Sequence, residues 1–123
     1  MTSTTPSPGA RSPADPALAL ACVPDAIPAA ERPAHVERLA RLFTTAVRER
    51  RTLPDGYAYR FDADAFDELA RWVANERRCC PFLRFTVELA PGDGPVWVRL
   101  TGPTGTRAFL DAELPALPHL LPH

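Results

Sequence analysis

Pro81 is the residue that most constrains this chain. Proline has no backbone donor, and it biases the residue before it away from the α region. A helix arriving from the N-terminal side therefore has to end near Cys79. The string E-R-R-C-C-P-F-L-R-F, residues 76–85, then puts Cys79 and Cys80 side by side where helix gives way to strand. Arg77, Arg78 and Arg84 flank the two thiols, and Glu76 stands one helical turn before them. No other stretch concentrates reactive side chains in this way.

The periodicity of the remaining sequence supplies the elements around that corner. Leucine alternates with alanine over residues 17–23, which suits a short strand with Cys22 on the leucine face and Pro24 as its stop. Residues 35–51 have a helical stripe of Val36, Leu39, Ala40, Phe43, Ala46 and Val47. The closing Arg48, Arg50 and Arg51 suit the negative end of that helix's dipole. Leu53-Pro54-Asp55-Gly56 is a turn, and Tyr57, Tyr59 and Phe61 alternate along an aromatic strand. Asp62 or Asp64 caps the next helix. Its stripe of Phe66, Leu69, Ala70 and Val73 runs on toward Arg77 or Cys80, with Trp72 and Glu76 on one flank. This brings Cys80 toward the core and leaves Cys79 partly exposed. After Pro81, Phe85, Val87 and Leu89 pair across a P-G-D-G-P loop with Val96, Val98 and Leu100, as a hairpin. G-P-T-G-T then turns into a last short helix carrying Phe109, Leu110 and Leu114.

The order β-α-β-α-β-β-α predicts an α+β fold: a single two-layer domain of about four strands with helices on one face. A length of 123 residues supports one such core and not two. The domain is expected over residues 17–115, between a disordered Pro-rich tail at 1–16 and a Pro-rich C-terminal tail at 116–123. A net charge of −1 offers no field for nucleic acid. All 14 basic residues are arginine, the mark of a GC-rich genome, so arginine clusters by themselves say little about function. No stretch is long enough to span a membrane, and residues 17–23 lack the basic flank of a signal peptide. Three cysteines, an odd number, fit a reducing cytoplasm better than a secreted disulfide framework.

Metal binding is the leading functional reading. Thiolates select soft ions, and Cys22, Cys79 and Cys80 can supply three if the first strand lies beside the second helix's end. The four-ligand C-x₂-C spacing of structural zinc is absent. His35 is a candidate fourth ligand but reads as a surface residue at a helix start; His119 and His123 fall in the tail. A thiophilic ion of the mercury or arsenic type fits best, with Arg77, Arg78 and Arg84 as supporting charge that favours thiolate. One alternative is a cysteine-dependent enzyme, for thiol redox or group transfer, with Cys79 or Cys80 as nucleophile and Glu76 beside it. Another is an interaction domain with a buried thiol. Adjacent cysteines are not expected to bond to each other, because their Cα atoms lie about 3.8 Å apart, too close for an unstrained bridge.

The strings L-P-D-G-Y-A-Y-R-F, E-R-R-C-C-P-F-L-R-F and G-P-V-W-V-R-L-T-G-P-T-G resemble a family of small uncharacterised bacterial proteins. That family shares an E-R-x-C-C-P-F core and a W-x-x-L-T-G-P-x-G hairpin, and the likeness spans roughly residues 18–114. It implies a loose association with heavy-metal resistance and carries no established activity.

Overall fold

Two hairpins build the sheet. The structure, a computed structural model, describes residues 20–114. Strand β1 (Val47–Leu53) turns through Pro54 and Asp55 into β2 (Gly56–Phe61), with Leu53 opposite Gly56. Strand β3 (Arg84–Leu89) returns as β4 (Val96–Thr101). Strands β2 and β4 pair antiparallel at the centre, so the order is β1-β2-β4-β3. Gly56 is required at that seam: a Cβ there would run into the Leu100 carbonyl oxygen.

Three α-helices accompany the sheet among the described residues: α1 (Arg32–Arg41), α2 (Phe66–Cys79) and α3 (Thr106–Glu113). The fold is the expected mixed α+β, but its first strand is not the expected one. Residues 17–19 lie outside the described residues, as do both expected tails, and residues 20–23 form no strand. The fourth strand is instead β1, which helical periodicity had placed at the end of α1. That helix stops at Arg41 and widens into one π turn, Leu42–Ala46, before the chain extends.

Pairing with β2 explains this change. Its hydrogen bonds outweigh the weak helix preference of V-R-E-R-R-T-L, since local propensity yields to tertiary context. The arginines are consequently strand residues. Arg51 stacks 4.5 Å from the Trp97 ring, Arg50 lies 4.2 Å from the Tyr57 ring, and Arg48 meets Asp62 at 3.0 Å. Asp62 occupies the cap position of the 3₁₀ turn leading into α2 but makes no side-chain cap bond.

The core lies between the helices and one sheet face. Tyr57, Tyr59 and Phe61 stand opposite Leu100, Val98 and Val96, and all six are buried. Phe43, from the π turn, meets Tyr59 and Trp72 at ring-centroid distances of 5.0 Å each. The buried face of α2 is rotated from the expected stripe. Leu69 and Trp72 are fully buried, while Ala70 and Arg77 are exposed. Helix α1 is rotated too: His35 is buried and Val36 is 62% exposed. Trp97 alternates with the buried valines of β4 and faces the other side of the sheet.

Candidate functional site

All three cysteines meet at the C-terminal end of α2. Cys80 N–H still donates to the Glu76 carbonyl (2.8 Å), and the chain then leaves the helix at Pro81, as the proline requires. The segment before α1 crosses this end, where Val23 N–H donates to the Cys79 carbonyl at 2.6 Å. That contact sets Cys22 against the pair. Cys22 and Cys80 are joined as a disulfide with Cα atoms 4.5 Å apart, and Cys79 is the free thiol. The three Sγ atoms lie within 4.8 Å of one another. Cys80 is almost fully buried and Cys79 is half-buried, as their places on the helix implied.

Glu76 and His35 complete the site. His35 Nε2 and Glu76 Oε1 are 2.8 Å apart, and Glu76 Oε2 lies 3.3 Å from Cys80 Sγ. The second contact follows from the i,i+4 spacing of Glu76 and Cys80. His35 is thus a buried partner of the carboxylate and not the surface residue expected, and its Nδ1 is buried without a hydrogen-bond partner among the described residues. Beside these groups is a cavity of about 210 Å³. Cys22, Cys79, Ile27, Val36, Leu39 and Leu114 supply most of its wall, and His35, Glu76, Glu113 and Arg32 its polar groups.

The charge around the sulfurs reverses the expectation. Burial pushes the Cys79 thiol above its ordinary value, and the negative charges of Glu76 and Glu113 push it further; the Val23 backbone N–H pulls the other way. None of Arg77, Arg78 and Arg84 lines the cavity or acts on the thiol. Arg77 and Arg84 border a separate depression with Val73, Leu83 and Phe85, and Arg78 borders another with Arg38 and Arg71. Sequence adjacency placed these arginines near the cysteines, but the helical screw points Arg77 and Arg78 elsewhere, and Arg84 has already passed onto β3. Burial also raises the Glu76 carboxyl, more than the His35 hydrogen bond and charge lower it, and Glu113 adds to the rise.

No family model, curated protein or solved structure matches the chain. Its own geometry therefore carries the functional reading. Among the described residues, no helix is long and apolar enough to cross a membrane. In the G-P-T-G-T turn, Thr106 Oγ1 donates to the Pro103 carbonyl at 2.6 Å. Glu113 and Arg32 lie far in sequence from the C-C pair, and no spacing signal links either to it.

Proposed function

We propose that the reduced protein is a cytoplasmic binder of a thiophilic metal or metalloid ion, of the Hg(II) or As(III) type, held by Cys22, Cys79 and Cys80. The observation that supports it is the mutual approach of the three Sγ atoms to within 4.8 Å. Metal–thiolate bonds of about 2.3 Å in a trigonal plane put sulfurs about 4 Å apart, so the Cys22 and Cys80 sulfurs, bonded in the oxidised protein, have to separate on reduction, while Cys79 Sγ is already near both. Soft sulfur donors select soft ions over oxygen-loving ones. Zinc is a poorer fit, because its structural sites take four ligands and the group that converges here is three cysteines without His35.

The local carboxylates suit this cargo. They hold the proton on the empty Cys79 thiol, and they favour an arriving cation by the same negative charge. Binding therefore displaces protons and weakens as pH falls. Membership of the bacterial family that the sequence strings resemble, with its loose association with heavy-metal resistance, is part of the same proposal.

The test is calorimetry and native mass spectrometry of reduced protein titrated anaerobically with Hg(II), As(III) and Zn(II). We expect one soft ion per chain, bound more tightly than by a simple dithiol. Losing Cys79 or Cys80 weakens binding most, and losing Cys22 less. Undiminished affinity in Cys79→Ser/Cys80→Ser rejects the site.

A further inference from the structure

We propose that the cavity beside the sulfurs binds small, uncharged, apolar thiols and delivers them to Cys22, opening the Cys22–Cys80 disulfide by exchange. This activity needs no ion and stands apart from ion capture.

Three observations combine. First, the disulfide presents its two sulfurs unequally. Cys22 is half-buried and belongs to the cavity wall, whereas Cys80 is 1% exposed and does not line it. An entering thiol meets Cys22, and exchange requires access to the sulfur attacked. Second, the wall is mostly apolar, from Ile27, Val36, Leu39 and Leu114. A volume of about 210 Å³ falls below the roughly 300–1,000 Å³ of drug-sized ligand pockets, which limits the occupant to a small organic group. Third, the polar groups disfavour an anion. Glu76 and Glu113 both face the space, His35 is engaged with Glu76 at 2.8 Å, and Arg32, the one arginine among the described lining residues, is occupied by the Ile27 carbonyl at 3.0 Å and by Asp25 at 3.4 Å. A neutral thiol with an apolar body fits, and a carboxylate-bearing thiol does not.

The step balances without an added oxidant or reductant. The incoming thiol RSH attacks Cys22 Sγ; an R–S–S–Cys22 bond forms as the Cys22–Cys80 bond breaks. The electron pair of the broken bond stays on Cys80 Sγ, and the proton lost by RSH ends there. The resulting Cys80 thiol faces Glu76 Oε2 at 3.3 Å, an acceptor already in place. Cys79, on the same wall and within 4.8 Å of Cys22, is placed to clear the adduct. Its sulfur forms a bond to Cys22 as RS leaves with the Cys79 proton, regenerating RSH and giving a Cys22–Cys79 disulfide.

The experiment uses oxidised full-length Cys79→Ser protein with a chelator present, so that ion binding plays no part. The probes are benzyl mercaptan and 3-mercaptopropionate at equal thiolate concentration, with acid quenching and peptide mapping by mass spectrometry. The expected result is a benzyl adduct on Cys22, forming at least tenfold faster than the carboxylate adduct and saturating with concentration. In protein with Cys79 intact the adduct is transient, and a Cys22–Cys79 peptide pair appears. Leu39→Trp, which fills the cavity, removes the preference; Val36→Trp, at a more exposed position on the same wall, tests this if the first variant does not fold. Equal rates for the two thiols, an adduct on Cys80, or a preference that survives both folded variants overturns the proposal. Ion binding by the reduced protein can then still stand.

Discussion

Cys79 sits at the carboxyl end of α2 with Glu76 and Glu113 as its charged neighbours, and every one of these features keeps its proton on. Burial is the largest cause, so the thiol is held up even before the carboxylates act. Because the thiolate is the reacting species, its fraction at a given pH falls about tenfold for each unit the pKa rises. In the oxidised protein Cys79 is the free thiol, and its alkylation can be followed directly. We expect iodoacetamide to react more slowly with it at pH 7.5 than with free cysteine, and the rate to keep climbing beyond the pH at which free cysteine levels off. Glu76→Gln should lower that midpoint without restoring the ordinary value, since burial remains. Alkylation faster than that of free cysteine at pH 7.5 would mean that the arginines, not the carboxylates, govern the sulfur.

Helix α2 shows what an element-level pattern conveys. Its extent, its stop before Pro81 and its burial of Leu69 follow from spacing and from proline chemistry, and so does the hairpin of β3 and β4. Its exact face does not, because Phe66, Leu69, Trp72 and Val73 satisfy stripes centred some tens of degrees apart. Only the partners across the core choose between them, and Phe43 selects Trp72. Helix α1 and strand β1 fail in sequence for a related reason: the Arg/Glu run has no strong preference until β2 offers it hydrogen bonds. At the site, the C-C-P corner and the i,i+4 relation of Glu76 to Cys80 were legible. The contact between His35 and Glu76, 41 residues apart, was not, because it depends on how two rotated helices pack. A pair of substitutions tests the face. Leu69→Ala should lower stability by about 2–5 kcal/mol, the range for a fully buried leucine. Ala70→Glu, on the exposed side, should change it by less than about 0.5 kcal/mol. Comparable losses in urea melts of the two would show the helix to be turned the other way.

The whole molecule is closed at one end by the bond that the thiol chemistry would open. Cys22 and Cys80 are separated by 58 residues, a span that takes in α1, the first hairpin and α2. A cross-link of this kind stabilises mainly by restricting the unfolded chain, typically by about 2–4 kcal/mol. With the disulfide reduced, residues 20–31 retain weaker ties to α2: the Val23 to Cys79 backbone bond and the Asn75 to Glu31 contact of 3.2 Å. Reduction should therefore lower the thermal midpoint by roughly 10–25 °C for a domain of this size. It should also speed amide exchange at Val23 ahead of the sheet. A bound ion that bridges Cys22 to the C-C pair replaces the covalent link with a coordinate one. At one hundred times its dissociation constant it should return about 2.7 kcal/mol. Scanning calorimetry of oxidised, reduced and reduced-plus-Hg(II) protein separates these contributions. In Cys22→Ser the reductant should have no effect, and the ion should rescue less, because nothing then ties the N-terminal segment to α2 through sulfur. A reduced protein that melts with the oxidised one would show that the closure is made by packing around Ile27 and His35, and that the cysteines can cycle without loosening the fold.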